Sequence, residues 1–386
     1  MSDILVYNNW DPLEEIWLGD VYPENFYDDL EPKIRDNFCT ITEWTKQDLK
    51  AIEKKFEEFG VTVHRPNIKD KDKFIDKKIG KLVKPPICPR DDNVVIGNKL
   101  YYSTDFGGVY TELSQQYNSK NVSVQPDMLL SGASIVKLGQ DLIFDFNIFT
   151  TNLNLADRKN TLFSHFYQFN KVIDEYKKDY RIHYSTNGGH CDACFMPIKP
   201  QLMLATNYWT IYDLTFTNWK KLFINEPTYQ IEKKASKIKL DNVTGESTGI
   251  TNKWKVTQLS NVRHFNTYVE KYCAEWIGNY KETFFEVNIM MLDENNMMAI
   301  DTSGIHEPLF KLLEKEGIKV HIVPWRTRRF WDGGLHCITL DVRRKAVKKD
   351  YFPDRGDNGI KNVFSLVNGY SYENFIVDYN KWLESK

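Results

Sequence analysis

Apolar positions along the chain fall into short helical and strand-like stretches that follow one another in a recurring order. Between residues 46 and 59, Leu49, Ile52, Phe56 and Phe59 share one helical face, and Gly60 ends the run. The alternating segment Val61-Thr62-Val63-His64 then predicts a strand. The same order returns at 307–316, where Leu309, Leu312 and Leu313 precede Gly317 and the strand-like Ile318-Lys319-Val320-His321. A third occurrence runs from Leu162 through Phe166, Phe169 and Ile173 to Tyr180, followed by Arg181-Ile182-His183. Further strands are expected in NVVIG (93–97), EVNIMML (286–292) and MMAID (297–301). The helix–strand units lead on to loops with candidate chemistry: PPICPRDD (85–92), NGGHCD (187–192) and WRTRRFWDGGLHC (325–337). Such a series fits modules arranged around a centre, and it also fits an ordinary α/β domain.

No Gly/Ser-rich linker or low-complexity tract divides the chain, and the polar stretch from Lys233 to Lys255 reads as a long surface loop or hairpin. Residues 1–386 are therefore expected to form a single domain. With 51 basic against 53 acidic residues, net charge −2, the chain lacks the basic surplus that phosphate contacts need, so nucleic acid is not an expected partner. The first nineteen residues resemble neither a secretory leader nor a transit peptide, and no apolar run approaches the ~20 residues of a membrane helix. Six cysteines in 386 residues are too sparse for a disulfide framework. A cytoplasmic protein without membrane association is expected; the sequons at Asn121 and Asn242 are then without consequence. No heptad or long exposed apolar helix compels a partner, which leaves a homodimer open.

The two glycine-pair loops carry the chemistry. DGGLHC presents Cys337, with Arg326, Arg328 and Arg329 close before it in sequence, and cationic neighbours favour a thiolate. NGGHCD presents His190 and Asp192; in an extended segment, positions i and i+2 share a face, so imidazole and carboxylate would enter one pocket. On a strand, His336 would point away from Cys337 and is not taken as the base. Asp91, if it lines the same pocket as Asp192, completes a pair of carboxylates suited to a planar cation rich in N–H groups, such as a guanidinium. A zinc site at His190, Cys191, Asp192 and Cys194 is disfavoured because no second ligand pair exists at suitable spacing. No Gly-rich nucleotide motif occurs, so neither a metal nor a cofactor is expected.

Several blocks in order, YNNWDPLEEIWLG (7–19), FGVTVHRP (59–66), CPRDDNVVIGN (88–98), HCDACF (190–195), NIMMLDE (288–294) and GGLHCITLDVRR (333–344), resemble glycine amidinotransferase and its bacterial relatives. The resemblance implies a pentein fold: an α/β propeller of five ββαβ modules around a pseudo-fivefold axis, with the active site at its centre. It implies a ping-pong transfer of an amidino group from a guanidino donor, usually arginine, to an amine acceptor through an amidino-cysteine. By position, Cys337 matches the nucleophile and His190 the general acid/base. Asp192 matches the carboxylate beside that histidine, Asp91 the guanidinium-binding aspartate, and Asn187 a position next to the substrate. Two departures stand out. Ser131 and Ser134 occupy positions that are acidic in the family, so Asp127 or Glu286 would have to supply the acid. Tyr208-Trp209 stands where an arginine would take the donor's carboxylate, so Arg328 or Arg329 would have to replace it. A deiminase-like guanidine hydrolase and a non-catalytic binding protein of the same fold are the alternatives.

Overall fold

A computed structural model describes residues 3–104, 107–125, 130–145, 163–164, 166–167, 169–185, 190–206, 211–223, 262–273, 276, 287–300, 307–355 and 372–386. Its strands begin with β1 (Leu13–Leu18) and β2 (Thr62–His64), joined by the helix Pro32–Glu58, and the small hairpin β3 (Ile75–Asp76) and β4 (Lys81–Leu82) follows. Next come β5 (Val94–Ile96), β6 (Lys99–Tyr102), the helix Val109–Ser114 and β7 (Val122–Val124). After them lie β8 (Ile135–Leu138), β9 (Asp141–Asp145), helical residues at 163–164, 166–167 and 169–173, and β10 (Arg181–Ser185). The order repeats in β11 (Phe195–Lys199), β12 (Leu202–Ala205), the helix Ile211–Thr215 and β13 (Lys220–Phe223). It repeats again in β14 (Met290–Asp293), β15 (Asn296–Ile300), the helix Glu307–Lys315 and β16 (Lys319–Val323). Finally β17 (Thr339–Arg344) returns to pair antiparallel with β1, setting Trp17 opposite Leu340.

These strands make five three-stranded sheets of one design. In each, the central strand (β1, β6, β9, β12 or β15) has one antiparallel and one parallel neighbour. The reason is connection length. Two-residue hairpins such as Gly97-Asn98 and Gly139-Gln140 join four of the five antiparallel pairs, whereas the parallel strand needs a helical crossover. Gly139 shows what such a turn demands: its φ is +66°, and a Cβ there would lie 2.0 Å from the Lys349 carbonyl oxygen. The result is the pentein architecture of five ββαβ modules, with the first module built from both ends of the chain.

The three expected helix–strand units are present, with changed boundaries. The first helix is 27 residues long, starting at Pro32 on a proline suited to a first turn and ending before Gly60, whose φ is +73°. The helical stretch after residue 163 stops at Ile173, and turns rather than helix lead to Tyr180. EVNIMML forms a strand only from Met290, which leaves Asn288 in the segment before it. Strands β5, β8, β9 and β12 are buried along their whole length, so alternation is weak and most of their sequences read as nearly continuous apolar runs. Among the described residues no helix is long and apolar enough to cross a membrane. The polar stretch 233–255 lies outside the described residues.

Candidate active site

The chemistry gathers where each module begins. Asp91 sits in the short helix Pro89–Asp92 before β5, and Ser131 caps the turn Gly132–Ser134 before β8. His190 caps the turn Cys191–Ala193, which holds Asp192, before β11. Asn288 precedes β14, and Cys337 lies in the turn before β17. Five hydrogen bonds join these segments into a closed ring. The Arg90 amide donates to the Cys337 carbonyl (3.4 Å) and the Gly132 amide to the Asn93 carbonyl (3.2 Å). Cys191 Sγ donates to the Ser134 carbonyl (3.6 Å), and Asn288 Nδ2 to the Asp192 carbonyl (3.3 Å). The Leu335 amide closes the circuit on the Asn288 carbonyl (3.1 Å). Every module therefore contributes one segment to a common centre.

Within this ring, Cys337 is 1% exposed, yet its sulfur has polar company. Asn288 Nδ2 donates to Sγ at 3.0 Å, and Sγ lies 3.7 Å from Asp192 Oδ2 as a thiol donor. Asn288 Oδ1 in turn accepts the amides of His336 (3.0 Å) and Cys337 (3.1 Å). The glycine pair before the cysteine is needed for space: neither residue has a positive φ. A Cβ on Gly334 would lie 2.5 Å from Asn288 Oδ1, and one on Gly333 would lie 2.9 Å from Cys88 Sγ and 3.1 Å from Cys337 Cβ. The left-handed residue in this turn is Asp332, with φ +51°.

The two histidines divide the two aspartates between them. His336 Nδ1 is 2.7 Å from Asp192 Oδ2, and both side chains are buried. His190 Nδ1 is 3.8 Å from Asp91 Oδ1, and these two are about one-fifth exposed, the more accessible members of the group. Burial, then the nearby Arg90 charge, pushes the His336 pKa down to about 4, so it is neutral at pH 7 and donates Nδ1–H to Asp192. Burial opposes the charge on Asp192, but the His336 hydrogen bond and the nearby His190 and Arg90 hold its pKa below the usual aspartate value. Asp91 is shifted upward, first by burial, with Asp192 and Asp332 adding to it against His190 and Lys84. Asp91 Oδ1 and Asp192 Oδ1 are both buried atoms without a hydrogen-bond partner.

Behind the cysteine turn lies a buried ionic clamp. Arg90 donates Nε–H to the His336 carbonyl (2.7 Å) and Nη2–H to Asp341 Oδ1 (2.8 Å). Asp341 also accepts from Arg344 Nε (3.0 Å) and lies 3.6 Å from Lys137 Nζ. Burial works against the Asp341 carboxylate, but these cations hold its pKa well below the normal range. The clamp holds the turn by the His336 carbonyl, and Asn288 holds it by the His336 and Cys337 amides.

The structure thus brings Cys337, His190, Asp192 and Asp91 to one centre. Asn187 and Glu286 lie outside the described residues, as do Asp127, Tyr208 and Trp209. Arg328 is half-buried, and of Arg329 only the helical backbone is described. Arg326 does not serve the cysteine, because it turns to Asp48 (2.9 Å) on the first long helix. The strand geometry expected for His190–Asp192 and for His336–Cys337 is replaced by turns, which is why His336 faces Asp192 instead of pointing away. Ser131 Oγ accepts the Ala133 amide (3.2 Å), and a hydroxyl stands where the resemblance calls for an acid. Asn288 and His336 are the residues that sequence reasoning passed over; a polar Asn within the apolar run VNIMML was the available signal. Among the described residues no group of three or more His, Cys, Asp or Glu could hold a metal ion.

Two solved structures share this fold over nearly their whole length. The inosamine-phosphate amidinotransferase of Streptomyces griseus superposes with TM-score 0.58 at 18% identity, covering 91% of this chain and 99% of that one. SxtG, an amidinotransferase of Microseira wollei from the saxitoxin biosynthetic pathway, gives TM-score 0.57 at 19% identity, covering 90% and 99%. In sequence, inosamine-phosphate amidinotransferase 1 of Streptomyces griseus is 22% identical over 404 aligned positions, spanning 90% of this chain and 98% of the relative. The relatives are amidinotransferases. Likeness to the mitochondrial glycine amidinotransferase of Xenopus laevis is higher, at 36%, but covers 70 residues, 18% of this chain and 16% of that protein. No family model matches the chain.

Proposed function

We propose that this protein is an amidinotransferase, moving an amidino group from a guanidino donor to an amine acceptor through a covalent amidino-Cys337 intermediate. The observation that carries the reading is the pair of buried carboxylate oxygens on Asp91 and Asp192 that accept no hydrogen bond, with Asp192 next to the Cys337 thiol. A buried acceptor left unpaired is costly, and a guanidinium offers N–H donors on both sides of its carbon. Full-length similarity to amidinotransferases supports the same chemistry.

In this reading the two carboxylates hold the guanidinium in line while Sγ attacks its central carbon. The S–C bond forms as the C–N bond to the donor breaks. His190 carries the thiol proton to the departing nitrogen, which leaves as a neutral amine. An acceptor amine then attacks the amidino carbon, the S–C bond breaks, and the proton released by that amine returns the sulfur to a thiol. His190 and Asp91 are the partly exposed members, which suits groups that meet incoming molecules. That all five modules feed one ring supports treating residues 1–386 as one domain. Arginine is the proposed donor, with Arg328 and Arg329 as candidate partners for its carboxylate and with Asn187 and Glu286 as substrate contacts.

Incubation with arginine, with and without hydroxylamine, glycine or lysine, tests the reading. A new guanidine that forms only with the acceptor supports transfer, whereas citrulline and ammonia without acceptor establish a deiminase-like hydrolase instead. Intact-mass measurement after exposure to donor should show an adduct that Cys337→Ala abolishes. No adduct with any guanidine establishes a non-catalytic binding protein.

A further inference from the structure

Four modules place a side chain of obvious chemical character, or its substitute, at the centre: Cys337, Asp91, Ser131, and His190 with Asp192. The fifth supplies Asn288, which the reaction outlined above does not use. It is fully buried, and each of its polar atoms is committed to the nucleophile turn or its neighbour. Oδ1 accepts two consecutive amides, His336 and Cys337; Nδ2 donates to the Asp192 carbonyl and to Cys337 Sγ. The two amide donors settle which way the carboxamide points, because a flipped group would aim N–H at N–H. A donor is therefore directed at the sulfur by the backbone of the turn itself.

We propose that Asn288 is a second catalytic group at Cys337, an N–H donor that favours the thiolate in attack and receives it again as the leaving group when the amidino group departs. The proposal rests on Cys337 being the nucleophile. Sulfur carries negative charge at two points of that cycle, and a hydrogen bond to a charged acceptor is stronger than one to a neutral acceptor. Asp192 lies 3.7 Å from Sγ and disfavours a second anion. His336 donates to Asp192 and not to sulfur, and Arg90 and Asp341 act on the backbone side of the turn. Across Gly333 lies Cys88, with Lys84, Asp91 and Asp332 in its electrostatic surroundings. His190, at the more exposed edge with Asp91, bears on Asp192 by its charge. Among these, Asn288 is the neutral donor in contact with the reacting atom. Gly334 follows from the same contact, since any side chain there would displace the carboxamide.

The test reads thiol ionisation directly, without a guanidino substrate. Cys337 alkylation by iodoacetamide is followed by peptide mass spectrometry across pH in the full-length protein and in Asn288→Asp and Asn288→Ala. Asn288→Asp keeps the shape and the acceptor for both amides but removes the donor; Asn288→Ala removes the donor without adding charge. Circular dichroism identifies the folded variants; because the aspartate form adds a charge that raises the midpoint by itself, the alanine form carries the test, with Asn288→Ser in its place should alanine not fold. The expected result is a pH midpoint raised by about one unit or more, so roughly tenfold less thiolate at neutral pH. A merely structural Asn288 would change rate or stability without moving that midpoint. An unmoved midpoint in a folded variant overturns this inference and leaves amidino transfer standing. A wild-type Cys337 that alkylates normally yet forms no adduct with any guanidino donor overturns the amidinotransferase reading instead.

Discussion

Acidification provides a sharp test of the His336–Asp192 pair. His336 is buried, and burial together with Arg90 lowers its pKa from 6.5 to about 4 in the folded protein. Between those values the unfolded chain takes up a proton that the folded protein refuses, so this contribution is complete above pH 6.5 and is lost as the pH falls toward 4. Two and a half units at ~1.4 kcal/mol each make the loss about 3 kcal/mol, a large share of a typical folding free energy. Asp192 acts lower in the range: its depressed pKa adds a further loss only as pH falls below its unfolded value of 3.8. Urea unfolding between pH 4 and 8 measures the effect, with His336→Gln as the comparison because glutamine cannot titrate. Wild type should lose about 3 kcal/mol more than the variant between pH 6.5 and 4. Parallel stability curves for the two proteins would show that His336 takes up its proton as readily in the fold as in the unfolded chain, and the burial argument for its lowered pKa would then be wrong.

Other consequences are equally direct. Asp341→Asn leaves Arg90, Arg344 and Lys137 buried without their counter-charge, so chemical denaturation should register a loss of about 3–5 kcal/mol. Gly334→Ala drives a methyl into Asn288 and should cost about 1–3 kcal/mol of thermal stability. In Asn288→Ala the same glycine substitution should cost less, and strict additivity in that double-mutant cycle would refute the contact. Alanine at both Arg328 and Arg329 should raise the donor KM with little change in kcat if they hold a carboxylate; an unchanged KM excludes them.

Read from the chain alone, the residues that bear the chemistry were recognisable because their types are rare in combination. Cys337, His190, Asp192 and Asp91 sit beside glycines, prolines or charged neighbours that a plain core would not contain. Helix–strand units were legible wherever a helix had one apolar face and a glycine ended it, as at Gly60 and Gly317. Strands such as β8, β9 and β12 were not, because burial on both faces erases the period of two.

What sequence determined, then, is the inventory: which side chains can attack, carry a proton or grip a cation, and three of the five helix–strand units that carry them. Only the tertiary structure decided who meets whom. Local periodicity assigned 190–192 and 336–337 to extended chain and sent His336 away, whereas ring closure folds both segments into turns and gives His336 to Asp192. The apolar run around Asn288 marks it as out of place but not what it does, because every partner that its side chain satisfies arrives from another module. Hydrogen bonds and charges depend on distances of a few ångströms between segments separated by tens to hundreds of residues, and that information exists only once the five modules have closed on one another.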